Sequence, residues 1–237
     1  MHKAAFLLKM NRLNYSKQIW KRWALFVGVS FLVFFALWSK YADSFFIQKV
    51  DFDTTVKVQY FIDQLPQLQL QFVIKEAMEG SIWFAGPLVS TVVVILLTGI
   101  AFVDWNDKKV RWRALLIPLL FFILVLGELY GKSVVHHPAP PFFMIKNPTS
   151  IFPKYFVQEQ FSYPSGHAAR AAFLAISTFS FLLSTFPLRK RKVALGIVCI
   201  GYVALVSVST IYLGHHWLSD IIGGSLLGIG LGLLTCI

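Results

Sequence analysis

The sequence predicts an all-α, polytopic membrane protein of six transmembrane helices with an interfacial amphipathic segment between the first two. Three observations carry this. The 237 residues are 57% hydrophobic and only 14% charged, and mean hydropathy is +0.66, well above that of a soluble domain. Apolar stretches free of charge recur at lengths that span a hydrocarbon core, which needs roughly 20 helical residues. The basic residues alternate between successive connecting loops, as membrane topology requires.

The first span runs from Trp23 to Ser39, between Arg22 and Lys40, and the second from Gly80 to Val103, between Glu79 and Asp104. The third, Ala114 to Gly131, is interrupted only by Glu128, and the fourth runs from Ala171 to Leu188. The fifth lies within Val193 to Ser219, and the sixth, Ile221 to Ile237, is short and has no charged flank on its far side. Between the first two spans, the segment from Lys49 to Glu79 is too polar to span yet rich in Phe, Leu, Ile and Val. It reads as one or two amphipathic helices on the outer surface, broken at Pro66. No internal repeat or low-complexity tract divides the chain, so residues 1–237 read as a single domain, with 1–22 a basic tail and 41–79 the interfacial segment.

Net charge is +11, but the positions of the cations exclude nucleic-acid binding as its explanation. The N-terminal tail and the turns Asp104 to Arg113 and Arg189 to Lys192 hold 14 of the 22 Lys and Arg, which assigns them and both termini to the cytoplasm. The segment Tyr41 to Glu79 holds six of the 11 acidic residues and faces outward with the alternate loops. The first span, preceded by six basic residues, is longer than a signal-peptide core and lacks a cleavage pattern after it, so it reads as an uncleaved anchor. Cys199 and Cys236 fall inside spans and behave as small apolar residues, not as a disulfide framework.

Five of the six histidines fall in the outward segments: His136 and His137, His167, and His215 and His216. They belong to three motifs that the topology brings to one membrane face. These are Lys132 through His136-His137-Pro138-Ala139-Pro140, then Tyr163-Pro164-Ser165-Gly166-His167, then Ser209-Thr210 through His215-His216-Trp217-Leu218-Ser219-Asp220. His216 and Asp220 are four apart and would share a face at the start of the sixth helix, where the carboxylate holds one ring N–H and leaves the other nitrogen nucleophilic. Ser165 and Gly166 precede the fourth span, so their backbone N–H groups and the Ser165 hydroxyl are positioned to cradle an anion. Lys132 supplies positive charge at the end of the third span, with Glu128 one turn below as its ion-pair partner.

The second and third motifs resemble the signatures of the type-2 phosphatidic acid phosphatase superfamily of membrane lipid phosphatases, whose pattern is K-x6-R-P, P-S-G-H and S-R-x5-H-x3-D. The resemblance covers roughly Asp51 to the C-terminus. It implies a phosphohydrolase acting on a phosphorylated membrane lipid, of the undecaprenyl diphosphate, phosphatidylglycerol phosphate or phosphatidic acid class. It implies attack of His216 on phosphorus to give a phosphohistidine, Asp220 stabilising the imidazolium, and His167 protonating the lipid-side oxygen. The scheme requires no cofactor and no metal.

Two family arginines are absent. The position seven residues after Lys132 is Ala139, and Ser209 is followed by Thr210. Each missing guanidinium would give bidentate phosphate contacts. Arg170 is the expected replacement, three residues after His167, with His136, His137 and His215 as further candidates; Lys132, Ser165, Gly166, Arg170 and His137 are thus the expected substrate ligands. The aromatics Phe142, Phe143, Phe152, Tyr155, Phe156 and Phe161 between the first two motifs read either as an interfacial belt or as a lid over the lipid chain. Three other functions stay open: a headgroup-binding protein without turnover, a lipid phosphotransferase, and a zinc site built from the histidines and Asp220.

Overall fold

The apolar runs fold into helices whose ends fall at proline, glycine and the polar motifs. In the computed structural model, the described residues are 2–104, 109–146, 160–185 and 189–236. Among these, eight α-helices follow in order: α1 (His2–Ser39), α2 (Phe45–Asp63), α3 (Leu68–Phe84), α4 (Pro87–Phe102), α5 (Leu116–Val134), α6 (Gly166–Thr185), α7 (Arg189–Tyr212) and α8 (Leu218–Leu234). A two-residue antiparallel ladder pairs Val103–Asp104 with Lys109–Val110 beyond α4.

Two breaks in this order have direct chemical causes. The interfacial segment divides at Gln64–Gln67, around Pro66, as expected. The second expected span does not run unbroken from Gly80 to Val103. It is split between α3 and α4, which bend by 60° at Ala85-Gly86-Pro87. Pro87 lacks the N–H that would continue the α3 ladder and opens α4 in its first turn, where that N–H is not needed. At the bend, Gly86 O takes up the α4 ladder from the Ser90 N–H (3.0 Å) and also accepts the Ser90 hydroxyl (2.7 Å), while Ala85 O accepts from Arg170 Nε (2.9 Å). Irregular backbone at membrane depth requires such partners.

Three described helices are long and apolar enough to cross a membrane by themselves, over Gln18–Ser39, Trp112–Val134 and Lys190–Tyr212, and the bent α3–α4 pair makes a fourth span if taken as one. Six were expected. Helix α8 is apolar but only 17 residues long, and α6 is not among the helices that meet the criterion. Large apolar side chains cover the outside of the bundle, among them Phe26 and Phe34 of α1, Ile95 of α4, Phe122 of α5 and Ile197 of α7. Such a surface matches hydrocarbon rather than water, and the protein is a membrane protein.

The shortest apolar run becomes the centre. Helix α8 packs against α6, α1 and α5. A Cβ at Gly224 or Gly228 would strike the Ser165 or Ala169 carbonyl of α6, so the two backbones approach as closely as glycine permits. Between apolar helices in lipid, association rests on this kind of close packing, since leaving lipid for protein brings little hydrophobic gain. Leu124 of α5, Phe173 of α6, and Leu227 and Leu231 of α8 complete the buried core beneath the motif-bearing end.

Candidate active site

His216 lies in the turn between α7 and α8, not on the helix as its spacing from Asp220 suggested. Trp217 is the N-cap of α8 and Asp220 its third residue. From there Asp220 Oδ2 reaches back to accept the Trp217 N–H at 2.9 Å, half of a capping box, and its negative charge sits favourably at the helix N-terminus. The same carboxylate faces His216 Nδ1 at 3.5 Å through Oδ2 and His137 Nδ1 at 3.0 Å through Oδ1. Asp220 is fully buried. With Nδ1 turned to Asp220, the His216 ring presents Nε2 on its far side. On that end of the bundle the His167 ring stands 6.0 Å away, centroid to centroid and tilted by 58°.

The cradle differs in detail from expectation. Helix α6 begins at Gly166, five residues before the expected start of the span, which puts His167 on its first turn. The Ser165 N–H is not available to an anion, because it donates to the Asp220 carbonyl at 3.0 Å and ties the second motif to the third. The Ser165 hydroxyl is buried, 3.4 Å from the Ala168 N–H. The N–H groups of Gly166 and His167, being the first of α6, have no intrahelical acceptor.

Glu128 joins three of the expected ligands. A Cβ on Gly166 would collide with the Glu128 carboxylate, so glycine is needed there for close approach. Glu128 lies 3.4 Å from Lys132 Nζ, as the one-turn spacing predicts, and accepts a 2.6 Å hydrogen bond from Arg170 Nη1. Arg170 is 5% exposed. Its guanidinium thus serves Glu128 and the Ala85 carbonyl of the α3–α4 bend, where the sequence suggested a phosphate.

His137 likewise faces protein. It is 1% exposed, with Nδ1 at Asp220 and Nε2 3.5 Å from Asp51 Oδ2, which turns it away from the expected contact with substrate. Burial disfavours its imidazolium, but the hydrogen bond and charge of Asp220 and the charge of Asp51 outweigh this and raise its pKa above the ordinary value. The stabilisation this gives is complete below the ordinary imidazole pKa and is lost as pH rises through the raised one. Thermal unfolding in detergent, followed upward in pH from the ordinary imidazole pKa, is expected to show Tm falling as pH rises, with the fall reduced in His137→Gln.

His215 is held down to a pKa of about 4 by burial and by the neighbouring His216, so at neutral pH it offers a neutral ring rather than the charge of a missing arginine. His136 is exposed and packs its ring on Phe161, with centroids 4.9 Å apart, at the rim. Phe142 and Phe143 are each 77% exposed, and Phe152, Tyr155 and Phe156 lie outside the described residues. Thr210, where the family motif has arginine, is fully buried and bonds the Val206 carbonyl of its own helix. Among the described residues, no three His, Cys, Asp or Glu side chains converge as metal ligands would.

Asp51 is the residue that motif reading missed. It is 1% exposed and accepts from both the Ser219 N–H (2.8 Å) and the Ser219 hydroxyl (2.6 Å). Its signal was a face rather than a motif: Asp51, Thr55 and Ile62 are the buried residues of α2 and recur at helical spacing.

Comparison with known proteins places this geometry in a family. The chain is 28% identical over 138 residues to phosphatidylglycerophosphatase B of Bacillus subtilis, 58% of this chain and 61% of that protein. It is 38% identical over 131 residues to an undecaprenyl-diphosphatase of Sulfolobus acidocaldarius (54% and 56%), and 29% identical over 143 residues to human sphingosine-1-phosphate phosphatase 2 (60% and 33%). The matched stretch is thus less than two thirds of each relative's length. The fold is similar to the crystal structure of a transmembrane PAP2-type phosphatidylglycerolphosphate phosphatase from Bacillus subtilis, with a TM-score of 0.69 and 24% identity over 89% of this chain and 94% of that one. Residues 112–237, more than half of the chain and all three motifs, match the family model of the PAP2 superfamily, to which this chain therefore belongs.

Proposed function

We propose that the protein is a lipid phosphate or diphosphate phosphohydrolase working through a phosphohistidine. The observation that carries this reading is the facing pair His216 and His167, 6.0 Å apart, with Asp220 behind His216. In the first step, His216 Nε2 attacks phosphorus in line, the bond from phosphorus to the lipid-side oxygen breaks, and His167 gives that oxygen a proton. In the second, His167 takes a proton from water, the water oxygen attacks phosphorus, and His216 leaves as free imidazole. Asp220 stabilises the cationic ring in between. Lys132 and the N–H groups of Gly166 and His167 take the phosphoryl oxygens, with Ser165 setting the start of α6. Arg170 and His137 support these groups from behind.

The substrate is a membrane lipid of the undecaprenyl diphosphate, phosphatidylglycerol phosphate or phosphatidic acid class, in keeping with the names of the relatives. Six spans with both termini cytoplasmic and the site on the outer face complete the reading, α6 and α8 crossing as buried helices of the bundle. The protein purified in detergent is expected to release phosphate from members of a lipid panel in the presence of chelator and to be inhibited by vanadate. Absence of phosphate release from every lipid, with tight binding of one of them, would instead favour a headgroup-binding protein, a reading motivated by Ala139 and Thr210 at the two arginine positions. Product that forms only with an added acceptor lipid or sugar would mark a phosphotransferase.

A further inference from the structure

We propose that Asp51 of α2 and His137 of the loop after α5 form a second carboxylate–imidazole pair that positions Asp220, and through it His216, making α2 part of the catalytic machinery. This rests on the phosphohistidine reading. Asp51 and Asp220 are the two most deeply placed carboxylates at this end of the bundle, and His137 lies between them with one ring nitrogen toward each. The pair fixes Asp220 in two independent ways. Asp51 accepts both donors of Ser219, the residue before Asp220, and so holds the first turn of α8 against α2. His137 holds the Asp220 side chain itself at 3.0 Å, on the oxygen opposite the one that faces His216. Without that restraint the carboxylate is held only by the Trp217 N–H, on the same oxygen that faces His216 at 3.5 Å.

Asp51 lies outside residues 112–237, so this carboxylate reaches the motif-bearing part of the chain from another segment. His137 Nε2 is buried without a hydrogen bond, and a movement of a few tenths of an ångström toward Asp51 supplies one. The charged groups facing His137 are Asp51 on α2, Asp43 ahead of α2 and Asp220 on α8, with His216 beyond Asp220. With His137 cationic, the chain Asp51, His137, Asp220 carries one net negative charge toward His216. Removing the imidazolium leaves two negative charges; removing Asp51 withdraws one.

The test compares Asp51→Asn, Asp51→Glu and His137→Gln with wild type and with His216→Ala as control, in detergent, each rate normalised to the amount of folded, monodisperse protein. Asp51→Asn and His137→Gln are expected to lower kcat by about 10- to 100-fold with KM within about twofold, as for a residue that orients a catalytic group. Asp51→Glu should recover part of the loss. The acidic limb of the pH–rate profile should move to higher pH in His137→Gln and to lower pH in Asp51→Asn, as the charge held behind the nucleophile becomes more or less negative. A merely structural defect lowers the rate equally at every pH. If kcat stays within about twofold of wild type in both variants, or falls without any movement of the limb, the proposal is overturned. Should Asp51→Asn yield too little folded protein, His137→Gln decides alone, since it breaks the chain and leaves the Asp51–Ser219 bonds in place. An active His216→Ala would instead sink the phosphohistidine reading, which separates the two failures.

Discussion

Replacing His216 with alanine is expected to reduce phosphate release by at least about 10⁴-fold on every substrate, because the variant has no atom to form the covalent intermediate. Rapid quenching with a labelled lipid phosphate should show an acid-labile, base-stable phosphoenzyme in wild type and none in the variant. His167 gives a contrasting expectation. Its role is to protonate the departing oxygen, a contribution of about 10²–10⁴-fold that matters only when the leaving group is a poor one. His167→Ala should therefore be strongly impaired on a lipid phosphate and much less so on an aryl phosphate whose phenolate departs unprotonated, while His216→Ala is equally impaired on both. Asp220→Asn should fall near the nucleophile variant, since an amide in the same place no longer stabilises the imidazolium and must turn an N–H toward either Trp217 or His137. A His216→Ala enzyme with full activity rules out the mechanism, and equal losses on both substrates for His167→Ala rule out its acid role.

The sequence was informative wherever function sits in a short local pattern. Pro164-Ser165-Gly166-His167 and His216-x3-Asp220 pointed to the groups proposed to react because a turn entering a helix fixes its side chains by local geometry. It was less informative where partners come from distant segments. The spacing of His216 and Asp220 was compatible with one helical face, yet the capping of Trp217 by Asp220 puts the helix start between them. Hydropathy joined Gly80 to Val103 as one span because it counts side-chain polarity and ignores the backbone, although Gly86-Pro87 spelled out the break. Asp51 looked like one more charge of an outward loop, and only the packing of α2 against α8 reveals it as buried. Helix α8, short and glycine-rich, made a poor span by length. The same glycines are what let it approach α6 and bring Ser165 to Asp220.

Arg170 bears on how the proposed phosphate site, with neither family arginine, would keep positive charge. Glu128 sits between two cations, 2.6 Å from Arg170 and 3.4 Å from Lys132, in surroundings where each of the three side chains is less than a fifth exposed. Were Glu128 paired with Lys132 alone, the two charges would cancel and weaken the attraction for the proposed phosphate. Arg170 neutralises Glu128 from behind, so the trio keeps one net positive charge at Lys132. Truncating Arg170 to methionine is therefore expected to act twice. It removes one partner of a buried ion pair, at a cost of about 3–5 kcal/mol, with Lys132 as an alternative partner pulling the value toward the lower end. Tm in detergent should drop on the order of 10 °C. It also binds Lys132 to Glu128 and raises KM for the lipid phosphate. Adding Glu128→Gln separates this from direct recognition. If Arg170 acts through Glu128, the double variant regains much of the stability, removes the hold of Glu128 on Lys132 and brings KM back toward wild type, a coupling read from the double-mutant cycle. If stability returns but KM stays high, the guanidinium itself contacts the phosphate and has replaced a family arginine directly.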